Sequence, residues 1–404
     1  MRVGHGVAPI PVPDGSPMGG YVDRRTGSSG TADHLEAHVL SCAAGGRRFA
    51  LVVLDLVCVN VDLADAVEHA LAGLGVDEAW VCATHTHSGP ETGCRPRGAS
   101  TPAPWLEVCT AAARRAAAEA IAGELPGSLS TTVVEVADVA SVRSRQNGAR
   151  PVPVDVVSFH TGRLAGVLLV LPVHPTVLPA SSTVVSADLA GAVRRALARR
   201  LGTPWVLVAT GAAGDISTRG VRRAADPGEC ARLGGVVADQ VLPAVGSPRG
   251  RPGAVLTARA DVTLAPGPAD PAGPAGLGGA ESTSDPSSRQ AETLRQARRV
   301  RQSLGHASTP LHATVRAARL GGVQLVGLPG EPFLALRSRA VEAVGDVLVL
   351  GYVGGYLGYL PTREAFADEP TYETVISPVA PGEPERLVDK GVELLSGLVR
   401  QPTS

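Results

Sequence analysis

The chain has 404 residues, 44% of them hydrophobic, with 37 basic against 38 acidic side chains and a net charge of -1. Such a length and apolar content support one large α/β domain, or two closely joined ones, with a sizeable interior, and residues 1–404 are taken as a single domain. There is no basic excess to neutralise phosphates, which excludes nucleic acid as an expected partner. Lys390 is the only lysine, so neither a Gly-Lys-Ser/Thr phosphate loop nor a Schiff-base enzyme is expected.

In chain order, Met1-Arg2-Val3-Gly4-His5-Gly6 lacks the apolar run of a secretory signal. Residues 37–44 read as a strand, and Phe49 to Val59 as a strand buried on both faces. Leu63 to Leu74 has helical spacing. Ala79 to Ala83 is a short buried strand, followed by the helix Trp105 to Ala122 and the strand Thr131 to Val139. Val154 to Phe159 and Leu164 to Val173 form a hairpin around Thr161-Gly162-Arg163. Ser186 to Arg200 is a helix, Trp205 to Thr210 a strand, and 227–242 a helix.

Residues 265–289 are rich in Pro, Gly and Ser and read as a loop insertion. Beyond it come a helix from Gln290 to Leu304, strands at Leu311 to Arg319 and Val323 to Val326, a helix from Glu331 to Val344 and a last strand from Val347 to Tyr352. Strands alternating with helices predict an α/β fold with mixed sheets flanked by helices. No internal repeat is evident. No apolar run is long enough to span a bilayer. The six cysteines contain no Cys-x-x-Cys pair. Cys58 and Cys82 sit in apolar runs and are expected as buried reduced thiols, which fits a cytoplasmic setting. The sequence carries no signal for an oligomeric state.

Four segments share one layout, a buried strand followed by a small-residue turn with polar side chains: Val81 to Pro90, Val167 to Leu178, Val206 to Arg219 and Leu325 to Glu331. In α/β sheets ligands bind at such strand ends. In Thr84-His85-Thr86-His87 the two histidines lie two residues apart, on one face of extended chain, and imidazole nitrogen is a common zinc ligand. A solvated loop with one capping histidine is the alternative. His174 ends an apolar run, as a ligand or as a satisfied strand-end histidine. Glu331 follows Pro329-Gly330, either as a functional carboxylate or as an acidic helix start favoured by the macrodipole. Asp215 and Ser217 follow a Gly-Ala-Ala-Gly turn and suit either a helix cap or a site. Tyr352, Tyr356 and Tyr359 fall among only five tyrosines; packing around glycine turns explains them equally well.

Taken in order, these segments resemble the neutral ceramidase family, specifically its N-terminal catalytic domain. The matching pieces are Met18-Gly19-Gly20-Tyr21, Asp55 in Val-Leu-Asp-Leu, Thr84 to Pro90, the arginine of Val-Arg-Ser-Arg-Gln, and His174. They continue with Gly214-Asp215-Ile216-Ser217, Leu328 to Pro332, Gly358 to Thr362, and Tyr372-Glu373. The likeness runs along nearly the whole chain. It implies a mononuclear zinc site with His85, His174, Glu331 and Tyr359 as ligands, Tyr356 being the neighbouring alternative for the tyrosine. It puts His87 beside the reacting water and the substrate carbonyl. The site arginine maps to Arg145, with Arg143 close by. Asp215 and Ser217 fall on the Gly-Asp-x-Ser loop, and Tyr372 on the second active-site tyrosine.

Against the family pattern, no C-terminal immunoglobulin-like domain is expected, and His174 is followed by Pro-Thr-Val-Leu rather than Gly-Thr. Only 3% of residues are aromatic, so no deep lipid-gripping pocket is expected. The implied activity is a zinc-dependent hydrolase that cleaves a linear amide, a small-molecule N-acyl compound, by a metal-activated water. A biosynthetic ester or lactone hydrolase, or an acyl transferase, on the same zinc is the second reading. A non-catalytic binding protein with this fold is the third.

Overall fold

The computed structural model describes residues 1–96, 100–144, 148–246, 253–268, 289–305 and 309–400. Of the expected loop insertion, residues 269–288 lie outside the described residues.

Three sheets carry the interior. The first has the strand order Glu78–Ala83, Arg47–Leu54, Leu35–Ala44, Arg2–Ile10, with Leu125–Pro126 at the far edge. The second runs Trp205–Thr210, Leu164–Leu171, Val152–His160, Ser128–Val136. The third runs Leu348–Leu350, Val323–Gly327, Leu311–Leu320, Val255–Leu264. Each sheet has one plan. Three antiparallel strands are followed by a helix and a parallel strand added at the edge. The crossover helices are Val61–Ala72, Asp188–Leu201 and Leu334–Val344. This three-fold repetition leaves no trace in the sequence, because any alternating apolar residues can fill such a plan.

Alternation along the strands explains the layering. Phe49, Leu51 and Val53 face a core shared with Phe159, Leu168, Leu207, Leu325 and Leu348 from the other two sheets. Ala50, Val52 and Leu54 face the opposite way, onto helices Val61–Ala72 and Ala103–Ala122. Both faces are buried, so the strand reads as a continuous apolar run. Helices Asp188–Leu201 and Pro227–Val241 cover the second sheet, and Leu334–Val344 and Glu383–Arg400 the third.

Two long strands escape the sequence reading, Arg2–Ile10 and Val255–Leu264, along with two-residue pieces such as Leu125–Pro126. Glycines hide the first. A Cβ on Gly4 would come within 1.9 Å of the Ala120 carbonyl oxygen, so the overlying helix requires glycine there. The helix expected from Glu331 begins at Leu334 instead, and Glu331–Pro332 forms a short parallel pair with Tyr359–Leu360. No helix among the described residues is long and apolar enough to cross a membrane.

The three parallel edge strands end close together. Thr210 Oγ1 donates to the Thr84 carbonyl at 2.8 Å. Gly351 N donates to the Thr210 carbonyl at 3.1 Å, and Gly354 N to Val81 O at 2.8 Å. The loops leaving the three sheets therefore converge on one point.

Candidate metal centre

His85 lies just beyond the strand Glu78–Ala83 with a left-handed φ of 64°. Its Nδ1 lies 2.5 Å from the Val57 carbonyl oxygen. His174 Nδ1 lies 2.7 Å from the Ala213 carbonyl oxygen. A carbonyl can only accept, so both rings carry their proton on Nδ1 and present a bare Nε2. Those two Nε2 atoms are 3.0 Å apart. His87 Nε2 is 3.1 Å from His85 Nε2. Glu331 Oε2 is 3.0 Å from His174 Nε2 and 3.5 Å from His85 Nε2. It accepts no hydrogen bond among the described residues.

Lone pairs thus face lone pairs in a site where His85, His174 and Glu331 are at most 2% exposed. Such a set needs a cation or donors facing it, and among these three only His174 Nε2 meets a fixed one, Arg143 Nη1 at 3.0 Å. Burial pushes the His85 imidazole down to about 3. Burial raises the Glu331 carboxyl, but His85 and His174 pull it further the other way, to about 2. His85, His87 and His174 form a cluster that could hold a metal ion. Imidazole nitrogens with one carboxylate oxygen suit zinc.

His87 differs from the other two histidines. Its Nδ1 is buried and has no hydrogen-bond partner among the described residues, so no carbonyl fixes its tautomer as Val57 and Ala213 fix those of His85 and His174. Gly20 packs against it with φ 91°, and a Cβ there would meet the His87 ring at 2.7 Å. The Tyr21 ring lies edge-on to His87 at 4.9 Å, and Arg24 Nη1 donates to the His87 carbonyl at 2.6 Å. These contacts account for the Met18-Gly19-Gly20-Tyr21 piece.

The remaining expected residues divide into two groups. Tyr359 joins the centre: its hydroxyl accepts from Arg143 Nη1 at 2.8 Å, and its ring stacks on His174 at 6.1 Å. Burial pushes the Tyr359 phenol well up, against the pull of Arg143. Tyr372 meets the Tyr359 ring edge-on at 6.2 Å, and burial raises its phenol to about 12. Tyr356 donates its hydroxyl proton to Glu331 Oε1.

Arg145 lies outside the described residues. Arg143 occupies the centre: Nη1 is 3.0 Å from His174 Nε2, and Nε is 3.0 Å from Glu373 Oε1. Asp215 and Ser217 reach the site through their backbone. The Asp215 carboxylate accepts from Leu334 N at 2.8 Å, while its carbonyl accepts from Arg143 N at 2.8 Å. Ser217 pairs with Ser141 and bridges to His174, so this loop supports His174 and Arg143.

Sequence reasoning gave no role to Tyr352 or Glu373. Tyr352 stacks on His85 at 4.4 Å with φ 61°. The expectation of a reduced Cys58 is corrected. Cys58 pairs with Cys94, beside the Val57 carbonyl that orients His85. The spacing in sequence was silent, because the loop that returns Cys94 to Cys58 is shaped by tertiary contacts such as Asn60 Nδ2 to the Thr92 carbonyl at 3.0 Å.

No protein-family model and no curated protein matches the sequence. Among solved structures, one described as ceramidase complexed with C2 matches with a TM-score of 0.76 at 21% identity, covering 100% of this chain and 76% of that one. Neutral ceramidase from Pseudomonas aeruginosa matches with a TM-score of 0.77 at 21% identity, covering 100% of this chain and 75% of that one. The fold of this chain is therefore ceramidase-like, as the resemblance in sequence implied.

Proposed function

We propose that the chain is a zinc-dependent hydrolase that cleaves a linear amide, a small-molecule N-acyl compound. One observation carries the reading. His85 Nε2, His174 Nε2 and Glu331 Oε2 converge within 3.0–3.5 Å as acceptors only, in a ceramidase-like fold. His85, His174 and Glu331 would hold the ion, with Tyr359 beside them. When bound, zinc supplies a Lewis acid and brings the pKa of water toward neutrality.

The protein's own groups do the rest. Val57 and Ala213 fix the tautomers of the two ligand histidines. His87, whose ring nitrogens meet no carbonyl among the described residues, accepts a proton from the attacking water and returns it to the leaving amine. Arg143 stays charged: burial opposes its protonation, but Tyr359 and Glu373 outweigh that. Its guanidinium, with the Tyr359 and Tyr372 hydroxyls, is suited to the negative charge that grows on an amide oxygen in a tetrahedral intermediate.

Activity should vanish on dialysis against a chelator and return with zinc. His85→Ala and Glu331→Ala should each lose the metal. His87→Gln should keep one equivalent and lose turnover. A metal-free preparation with full activity would sink the reading. A screen of N-acyl amines and N-acyl amino acids of varied chain length identifies the substrate. Product analysis in labelled water separates hydrolysis from acyl transfer.

A further inference from the structure

The two oxygens of the Glu331 carboxylate have different surroundings. Oε2 points at the bare nitrogens of His174 and His85 and accepts no hydrogen bond among the described residues. Oε1 accepts the hydroxyl proton of Tyr356. Tyr356 is held in turn. Its ring stacks on Tyr352 at 6.4 Å with an interplanar angle of 8°. Leu357 N donates to the Pro329 carbonyl at 2.8 Å, and Glu331 N to the Gly358 carbonyl at 2.9 Å. The hydroxyl and the carboxylate therefore ride on two backbone segments bonded directly to each other.

A carboxylate with both oxygens free can rotate and offer either oxygen, or both, to a cation. One with an oxygen pinned by a short donor presents the other in a single direction. We propose that Tyr356 is a positioning residue of the metal centre, whose hydroxyl holds Oε1 so that Glu331 binds through Oε2 alone. The inference rests on the reading of His85, His174 and Glu331 as ligands. It also separates two tyrosines that the sequence left as alternatives. Tyr356 acts through Glu331, whereas the Tyr359 hydroxyl takes its hydrogen bond from Arg143.

Tyr356→Phe removes one oxygen and keeps the ring stack. Wild type and variant are stripped of metal and titrated with zinc against a competing chelator. Metal-induced phenolate absorbance is followed in parallel, with Tyr359→Phe as the comparison. The variant should still bind one equivalent, with an affinity weaker by about 10- to 100-fold. Its metal-free melting curve should stay cooperative with a midpoint only a few degrees lower, from the lost hydrogen bond, which separates positioning from a loss of folding. Equal zinc affinities in the two proteins overturn the inference and leave the parent reading standing. A phenolate band present in wild type and in Tyr359→Phe but lost in Tyr356→Phe overturns it too, because Tyr356 would then be a ligand. A wild-type protein that binds no zinc removes the parent reading and the inference together.

Discussion

His85 and Tyr352 stand at equivalent points of the first and third sheets, each just beyond the parallel edge strand, and their rings stack at 4.4 Å with an interplanar angle of 26°. Both have left-handed backbones, with φ of 64° and 61°. For a residue with a Cβ such a conformation costs on the order of 1–3 kcal/mol, and surrounding contacts must hold it. The stack, together with the bond from His85 Nδ1 to Val57, is that hold.

Tyr352 is fully buried, and its hydroxyl has no partner among the described residues. Tyr352→Ala should therefore cost about 3–5 kcal/mol of stability and weaken zinc binding by freeing His85. Tyr352→Phe should be neutral or slightly stabilising, since it removes a buried hydroxyl that bonds nothing. Urea unfolding of the metal-free proteins measures both. A Tyr352→Phe protein as unstable as Tyr352→Ala would mean that the hydroxyl, not the ring, matters.

How far the sequence foretold this centre depends on what each residue responds to. His85 stood out because a polar residue directly after a buried strand leaves a mark in the hydrophobic pattern, whereas His174 and Glu331 stayed open between packing and a ligand role until the resemblance joined them. Most strands and helices were legible for the same reason. Arg2–Ile10 was not, because its glycines answer to the approach of the helix Ala103–Ala122, a tertiary demand. The start of the last crossover helix was misplaced because Glu331-Pro332 looks like a helix opening, whereas its pairing with Tyr359-Leu360 comes from a distant segment. The shared geometry of the three sheets has no residue signature at all.

Arg143 and Arg145 are the two candidates for the site arginine, and Arg143 is the one among the described residues. Arg143 uses different nitrogens of its fork, Nη1 toward His174 and Tyr359 and Nε toward Glu373. A lysine ammonium cannot reproduce that planar division. Arg143→Lys should lower turnover by about 10²- to 10³-fold, the usual range for loss of one oxyanion donor, with zinc content unchanged. Arg145→Lys should leave turnover near wild type. The reverse ranking would return the site role to Arg145.

The Cys58–Cys94 bond closes a separation of 36 residues. On the chain-entropy account such a loop stabilises the fold by about 3–4 kcal/mol. The other four cysteines are buried and unpaired. Reductant should therefore lower the wild-type unfolding midpoint, while Cys94→Ser should start low and not respond. A wild-type midpoint indifferent to reductant would argue against a bond in solution. Disulfides of this kind persist in oxidising compartments, so the thiol-based ground for a cytoplasmic setting falls away.

A pH-dependent term arises on the strand Arg2–Ile10. His5 stacks on Trp205 at 4.7 Å, and its Nε2 lies 3.2 Å from His38 Nδ1. Burial first, then the fields of His38 and Arg194, push the His5 imidazole down to about 3, against a smaller opposing pull from Glu36. In the unfolded chain a histidine titrates near 6.5. Between those values the unfolded state binds a proton that the folded state refuses. Stability from this group is thus full above 6.5 and declines as the pH falls toward 3. At pH 5 the loss should be up to about 2 kcal/mol. Glu36, held at about 2 chiefly by its hydrogen bond to His38, pulls in the same direction once the pH nears the unfolded value of 4.5, and adds little between pH 7 and pH 5. Urea unfolding at pH 7 and pH 5, with chelator present to remove metal effects, measures the difference. His5→Phe keeps the stack on Trp205 and should flatten the slope. Burial also lowers His38, so a smaller slope should remain. Identical slopes in the two proteins would show that His5 is not the group that refuses the proton.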